Sequence, residues 1–464
     1  QINGFNNIGP TVGWALGQSY CTRGNPKGQS MQGTNKKLLV AVSLAAALTA
    51  WPLGAASAQS REAKQCADQT QSAAEQRIAA CSRMIDSGRL KGKQKGVAYD
   101  LRGLAYLDRG DIMHAIADLN QAITLAPDFA PAYQNRGNAW YARGNYSQAI
   151  ADYDVAIKLD PKAAAPYVNR ATVRRDLGYY DGALEDYKTA LELGADSARL
   201  YNGRGQLFLR QHDYAHAIAD FDRAIKLDAN AANYMARARA RQDSGDFDGA
   251  LADYAEAARL DPRNIDSFIA QAAIWTMKDN FDEAIAAYDR AIAADRNRAA
   301  TYALRAHAYE QKGDRKSALA DVNRAIKLSP KAEFITLRGD LHLQDGDVDS
   351  AIKDADAVLK ANSNNAAAYT LRGTAYARKK QYDRALADLD QAIKRNAKDA
   401  SAYGERGQVY LAKADNQHAL PDLNRAVALG AADAAVYRAR ATIYRAKGDA
   451  DLALADLNAA LTRA

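Results

Sequence analysis

Residues 130–161 read APAYQNRGNAWYARGNYSQAIADYDVAIKLDP. Two helical periods are visible in this stretch, separated by Gly144-Asn145. Tyr133, Gly137 and Trp140 lie four and three residues apart, which places them on one face of a first helix; Ala149, Tyr153 and Ala156 do the same on a second. Gly137 and Ala149 are small enough to let the two helices approach closely, with aromatic rings filling the adjoining space. A glycine suits the end of the first helix. A single hairpin of this kind cannot bury its apolar face, so it must stack against others.

The rest of the chain supplies them. An aromatic or large apolar residue recurs at Tyr99, Tyr133, Tyr167, Tyr201, Tyr234, Phe268, Tyr302, Ile335, Tyr369, Tyr403 and Tyr437, at intervals of 34 residues with two of 33. Four residues after each comes Gly or Ala, and twelve further on an alanine, from Ala115 and Ala149 to Ala419 and Ala453. Self-similarity at this period is the mark of a helical repeat array. Counting each unit from its first residue, Gly96 in the first, Tyr133, Gly137, Trp140, Ala149, Tyr153, Ala156 and Pro161 fall at positions 4, 8, 11, 20, 24, 27 and 32 of the second.

In these positions the chain resembles the tetratricopeptide repeat family, with eleven units in register over residues 96–464. The resemblance implies an all-α fold: antiparallel helix pairs stacked into a right-handed superhelical solenoid with a concave groove. It further implies a groove lined by positions 2, 5, 9, 12 and 13 of the first helices. Carried onto this chain, those positions give Asn138, Tyr141, Arg175, Gln206, Arg210, Met235, Arg239, Ile269, Met277 and His307 as candidate partner-binding residues. They differ from unit to unit, unlike the framework. Met235, Ile269 and Met277, with Arg239 beside them, form an expected apolar docking point in repeats five and six.

Two features depart from the family. Position 7, usually apolar, is arginine in ten units, beginning with Arg102, Arg136 and Arg170; position 23 is aspartate in ten, beginning with Asp118, Asp152 and Asp186. The one exception is the same unit in both cases, where Gln271 and Ala287 stand together. Joint loss points to an ion pair, because one charge left half-buried and alone would cost far more than the pair contributes. The pair could join the two helices of one repeat or reach the neighbouring repeat. Upstream, residues 59–95 read as a degenerate capping helix pair, with Cys66 and Cys81 on opposite helices. They form either a disulfide staple or two buried thiols.

Charge and motifs narrow the function. The formal charge of +7 is inflated by residues 1–58, which hold Arg23, Lys27, Lys36 and Lys37 and no acid; beyond them 58 bases face 55 acids, interspersed. A solvated mixed-charge surface follows, and nucleic-acid binding is not expected. No nucleotide-binding, hydrolase or metalloprotease motif occurs, so neither catalysis nor a cofactor is expected. His212 and His216 have chelating spacing but straddle a turn with no third ligand, so no metal is expected.

Residues 1–30 lack periodicity and read as an upstream leader. From Met31 the pattern is that of a signal peptide over 31–58: Lys36-Lys37, the apolar run Leu38–Leu53, then Ala56-Ser57-Ala58, with cleavage expected after Ala58. Export to the periplasm or beyond suits a cysteine pair, and association with the envelope is expected to be peripheral at most. The expected role is a non-catalytic scaffold of the cell envelope that binds a protein or peptide segment in its groove. Alternatives are a carbohydrate-binding or polysaccharide-assembly factor and a regulatory subunit of an enzyme complex. The sequence stops at Ala464 within the last second helix, and the alternatives for that end are cover by a partner or by self-association, or simple fraying.

Overall fold

The computed structural model describes residues 57–68, 73–430 and 433–463; the leader of residues 1–30 and all of the expected signal peptide 31–58 but its last two residues lie outside them. The described residues form 24 α-helices and no strand. Backbone packing divides them into two units, one running to Glu256 and the other from Ala257, with the division inside helix Phe247–Leu260. Each unit is a solenoid of antiparallel helix pairs.

Repeat two shows why the sequence folds this way. Its helices are Ala130–Arg143 and Tyr146–Leu159. Gly144 ends the first at φ 83°, a left-handed conformation that only glycine adopts without strain. Asn145 starts the second, its side chain accepting the Gln148 N–H at 3.4 Å. Gly137 is demanded by packing: a Cβ there would lie 2.6 Å from the Tyr153 ring, itself only 1% exposed. The same facing of positions 8 and 24 recurs with Gly205 against Phe221 and Gly407 against Leu423. Alanines at position 20 are fully buried almost throughout, which keeps the paired helices in close contact.

The arginines and aspartates at positions 7 and 23 pair within the repeat. In all ten units the arginine donates Nε–H and Nη2–H to the two carboxylate oxygens, as Arg136 does to Asp152 at 2.8 and 2.7 Å. Arg102–Asp118 and Arg170–Asp186 have the same bidentate form. The neighbour geometry is present as well. Nη1–H of the arginine reaches position 25 of the preceding repeat: Arg136 to Asn120 at 2.8 Å, Arg372 to Asp356 at 2.6 Å, Arg440 to Asn424 at 3.0 Å. Arg102 reaches Ser82 of the cap at 2.9 Å. In most units the guanidinium also lies over the position-4 ring, as Arg136 does over Tyr133 at 5.7 Å. Asp152 hydrogen bonds hold the Arg136 guanidinium above its already high usual value, so it is charged at any working pH. Arg204 pairs with Asp220 but has Lys188 at the place of the third acceptor. In repeat six, Gln271 donates instead to the Ser267 carbonyl at 3.3 Å, and Ala287 is buried without a charge to answer.

The N-terminal pair is Ser57–Ala67 and Ala74–Asp86, joined by a disulfide between Cys66 and Cys81. Both sulfur-bearing residues are buried in a cluster with Met84, Ala98 and Leu101, the last two from the following helix Gly92–Arg109. The cross-link therefore lies inside the first interface of the stack. Closing a loop of this size restricts the unfolded chain by about 3 kcal/mol.

Removing one member of a staple should cost more than removing both. Arg136→Met leaves the buried Asp152 carboxylate alone and is expected to destabilise by about 3 kcal/mol in urea unfolding. Adding Asp152→Leu should recover most of that loss, and a double-mutant cycle with zero coupling would refute a pairing that matters.

Candidate functional site

Within each unit, most successive first helices pack against one another, as Ala130–Arg143 does with Gly92–Arg109 and Ala400–Ala412 with Ala366–Arg378; successive second helices do not come as close. The first helices thus line the inner side of each stack, and their outward-facing side chains form the surface that a partner can lie along.

In the unit ending at Glu256 this surface is polar and largely cross-linked. Asn138 is buried, its Oδ1 accepting the Tyr153 hydroxyl at 2.8 Å and Asn169 Nδ2–H at 3.0 Å. That corrects its assignment as a ligand contact: the amide joins repeats two and three. Tyr141 is half-buried and donates its hydroxyl to Asp176 at 2.7 Å, while Arg175 donates to the other oxygen of the same carboxylate at 3.0 and 2.7 Å. Burial first, then the Asp176 charge, pushes the Tyr141 hydroxyl up, so it remains a hydrogen-bond donor. Further along, Gln206 donates to Asn202 at 2.6 Å and Asn202 to the buried Asn233 at 2.7 Å, a chain of amides across repeats four and five. Arg210 is exposed with its guanidinium 5.5 Å from the Tyr180 ring. Met235 is half-buried, and Arg239 is exposed with Nε 3.8 Å from Asp243.

In the unit beginning at Ala257, Ile269 packs partly into the cluster of Ala272, Ala284 and Tyr288, whereas Met277 is 44% exposed. Met235 belongs to one unit and Ile269 and Met277 to the other, so the expected apolar docking point is not contained in either. His307 lies with Nδ1 3.1 Å from Glu310 Oε2, and Gln344 donates to Glu310 Oε1 at 2.5 Å. Burial raises the Glu310 carboxyl and these two hydrogen bonds more than offset it, leaving it below its usual range. Asp340, four residues before Gln344, is the counterpart of Asn138 at position 9. Burial pushes its carboxyl up to about 7, with the Glu310 charge adding to the shift. Asp340, Gln344, Asn202 and Asn169 escaped the sequence reading.

The outer face has its own recurrent device. His114, His216 and His418 are exposed at second-helix starts, and each ring is held. Nδ1 lies 2.8, 2.7 and 2.7 Å from the capping aspartates Asp111, Asp213 and Asp415. Each ring also lies 5.2 or 5.3 Å from Tyr106, Phe208 or Tyr410. His212 Nδ1 is 3.0 Å from the Tyr214 hydroxyl. No group of three or more metal-ligating side chains occurs among the described residues, and none of their helices is long and apolar enough to cross a membrane.

Asp340 makes stability depend on pH. Between its usual value near 4 and its native value near 7, the unfolded chain has released this proton and the folded chain has not. Stability must therefore fall as pH rises through that window. Asp340→Asn should leave urea stability little changed at pH 4 and raise it by about 2 kcal/mol at pH 8. An equal effect at both pH values would show that ionisation is not involved.

Family comparisons agree with this architecture. A tetratricopeptide repeat model matches residues 101–164, 235–299, 278–333, 303–366, 336–401 and 370–434. Further repeat models of the same kind match 171–212 and 198–231. No curated protein matches the chain. Among solved structures, YrrB, described as a TPR protein with an unusual peptide-binding site, is 24% identical over 39% of this chain and 95% of its own, with a TM-score of 0.35. Yeast Tom70 is 16% identical over 84% and 92%, TM-score 0.39. The Cut9-Hcn1 hetero-tetramer of the APC/C is 14% identical over 88% and 94%, TM-score 0.42. With its repeats matched along most of the described residues and its helix pairs in the matching register, the chain belongs to the tetratricopeptide repeat family.

Proposed function

We propose that the chain is a non-catalytic protein–protein interaction scaffold that binds an extended segment or helix of a partner along the inner face of its first helices. One observation carries the reading. The framework positions repeat with little change, while the polar side chains of the first helices vary between repeats and several are held in place by hydrogen bonds, as in Tyr141–Asp176–Arg175 and Gln206–Asn202–Asn233. A surface of fixed amides and charges can pair with peptide groups without first paying to order its own side chains. Many modest contacts along a stack then sum to useful affinity.

In-cell crosslinking followed by mass spectrometry would identify the segment captured. Arg175→Ala with Gln206→Ala, both on folded protein by circular dichroism, should weaken that purified segment about tenfold or more. Undiminished binding would rule the inner face out.

We also propose that the chain works in the cell envelope, exported and cut after Ala58. Support comes from Lys36-Lys37, the apolar run and the small-residue site in the sequence, together with the buried Cys66–Cys81 disulfide, which suits an oxidising compartment. Expressed in a bacterial host, the protein should fractionate outside the cytoplasm with Gln59 as its first residue. An intact leader in the cytoplasmic fraction would overturn this.

A further inference from the structure

In the ten units that carry the pair, each position-23 carboxylate is answered from within by two N–H groups of its own arginine, as Asp354 is by Arg338 at 2.9 and 2.6 Å. Asp340, on helix Ala332–Gln344 of repeat eight, is not answered in this way. Its carboxyl is almost wholly surrounded by protein, with one edge of the residue open to the inner face, and it accepts no hydrogen bond among the described residues. In repeat two the Tyr153 hydroxyl at position 24 reaches position 9, but here position 24 is Ala355, with no donor to offer.

The charged groups beside Asp340 belong to helix Ala299–Lys312. Glu310 lies near enough for its charge to oppose ionisation of Asp340. Its Oε2 lies by His307 Nδ1 and its Oε1 accepts a Gln344 N–H, and each oxygen can accept once more. No described cation pairs with Asp340: Arg315 faces Glu310 and Asp345, Arg338 is given to Asp354, and Arg378 acts on Glu405 of repeat ten. The inner positions 2, 5, 9 and 12 of the following helix, Ala366–Arg378, are the uncharged Ala367, Thr370, Thr374 and Ala377.

Two carboxyls thus stand together on the inner face, one of them recessed and without a donor. A metal ion would need a further ligand, and no group of three occurs among the described residues. An apolar or acidic side chain would leave the desolvated carboxyl as it is. A lysine or arginine side chain would bring both missing things, N–H donors and a compensating charge. We propose that the recess formed by Asp340, Glu310 and Gln344 receives a basic side chain, lysine or arginine, of the segment that lies along the inner face. The assignment rests on the inner-face reading and adds to it the chemistry of one anchoring residue. A cation that pairs with Asp340 must displace its proton, so binding should tighten as pH rises through the native value near 7.

The recess can be probed without the partner in hand. The full chain, isotopically labelled at its aspartate side-chain carboxyls, is titrated with N-acetyl-lysine methylamide at constant ionic strength. The Asp340 carboxyl signal is the one missing from Asp340→Asn. That signal should move saturably, and its titration midpoint should fall by about half a pH unit or more at saturation. In calorimetry the probe should bind about fivefold more tightly at pH 8 than at pH 6, and Asp340→Asn should abolish that pH dependence. The arginine analogue should behave alike, and the norleucine analogue, which lacks the ammonium, should do neither. Asp340→Asn is expected to be at least as stable as the parent, so unfolding would not mimic these losses. No saturable movement, an equal response to the norleucine probe, or a pH dependence that survives in Asp340→Asn would each overturn the proposal. A segment crosslinked to the inner face with no response here would sink the basic anchor alone. A response here with no crosslinked segment would sink the inner-face reading and leave the recess its ligand class.

Discussion

A half-buried guanidinium has five N–H groups to satisfy and only part of its surface open to water. That demand organises the stack. Each position-7 arginine takes a carboxylate from its own second helix, usually a polar side chain from the repeat before, and in most units a tyrosine ring one turn back on its own helix. Three partners from three directions fix the depth and rotation of the first helix more tightly than apolar packing, which tolerates sliding. Bidentate Arg–carboxylate geometry adds direction to the energy. The same demand accounts for repeat six. When the arginine becomes Gln271, the aspartate becomes Ala287 and the preceding position 25 is Ala255, so no member of the set is left behind.

Much of this was legible in the sequence. The period, the hairpin, the small residues at the crossing and the helix-ending glycines follow from spacing and steric size alone, and the Arg–Asp pairing follows from joint loss. The third acceptor was not legible. Position 25 varies among Asn, Asp, Ser, Lys and Ala, and an oxygen offered by several residue types leaves no single-letter pattern. The inner face was read only in part for a related reason. Family position says which way a side chain points, not how deep it lies. In repeat two the position-24 residue is Tyr153, whose hydroxyl reaches back to Asn138 and closes it off. In repeat eight position 24 is Ala355, which has no hydroxyl to offer, and the position-9 residue Asp340 is instead left recessed beside Glu310. One position therefore serves structure in one repeat and carries a perturbed carboxyl in another.

At the first pair the apolar content is modest, and a covalent bond between Cys66 and Cys81 compensates by limiting the freedom of the unfolded chain at the interface with Gly92–Arg109. At Ala450–Leu461 the apolar content is generous and faces outward.

Ten of the eleven blocks bring their own donor and acceptor, and most bring one half of the next contact as well. A gene encoding such a chain can therefore gain or lose whole blocks by unequal crossing-over, wherever the exchange falls, without creating an unmatched surface inside the protein. Point changes at the crossing positions meet a steep penalty, while duplication of an entire block meets almost none. Over evolutionary time the length of such a protein, and with it the reach of its inner face, is freer to change than the identity of any one of its arginines.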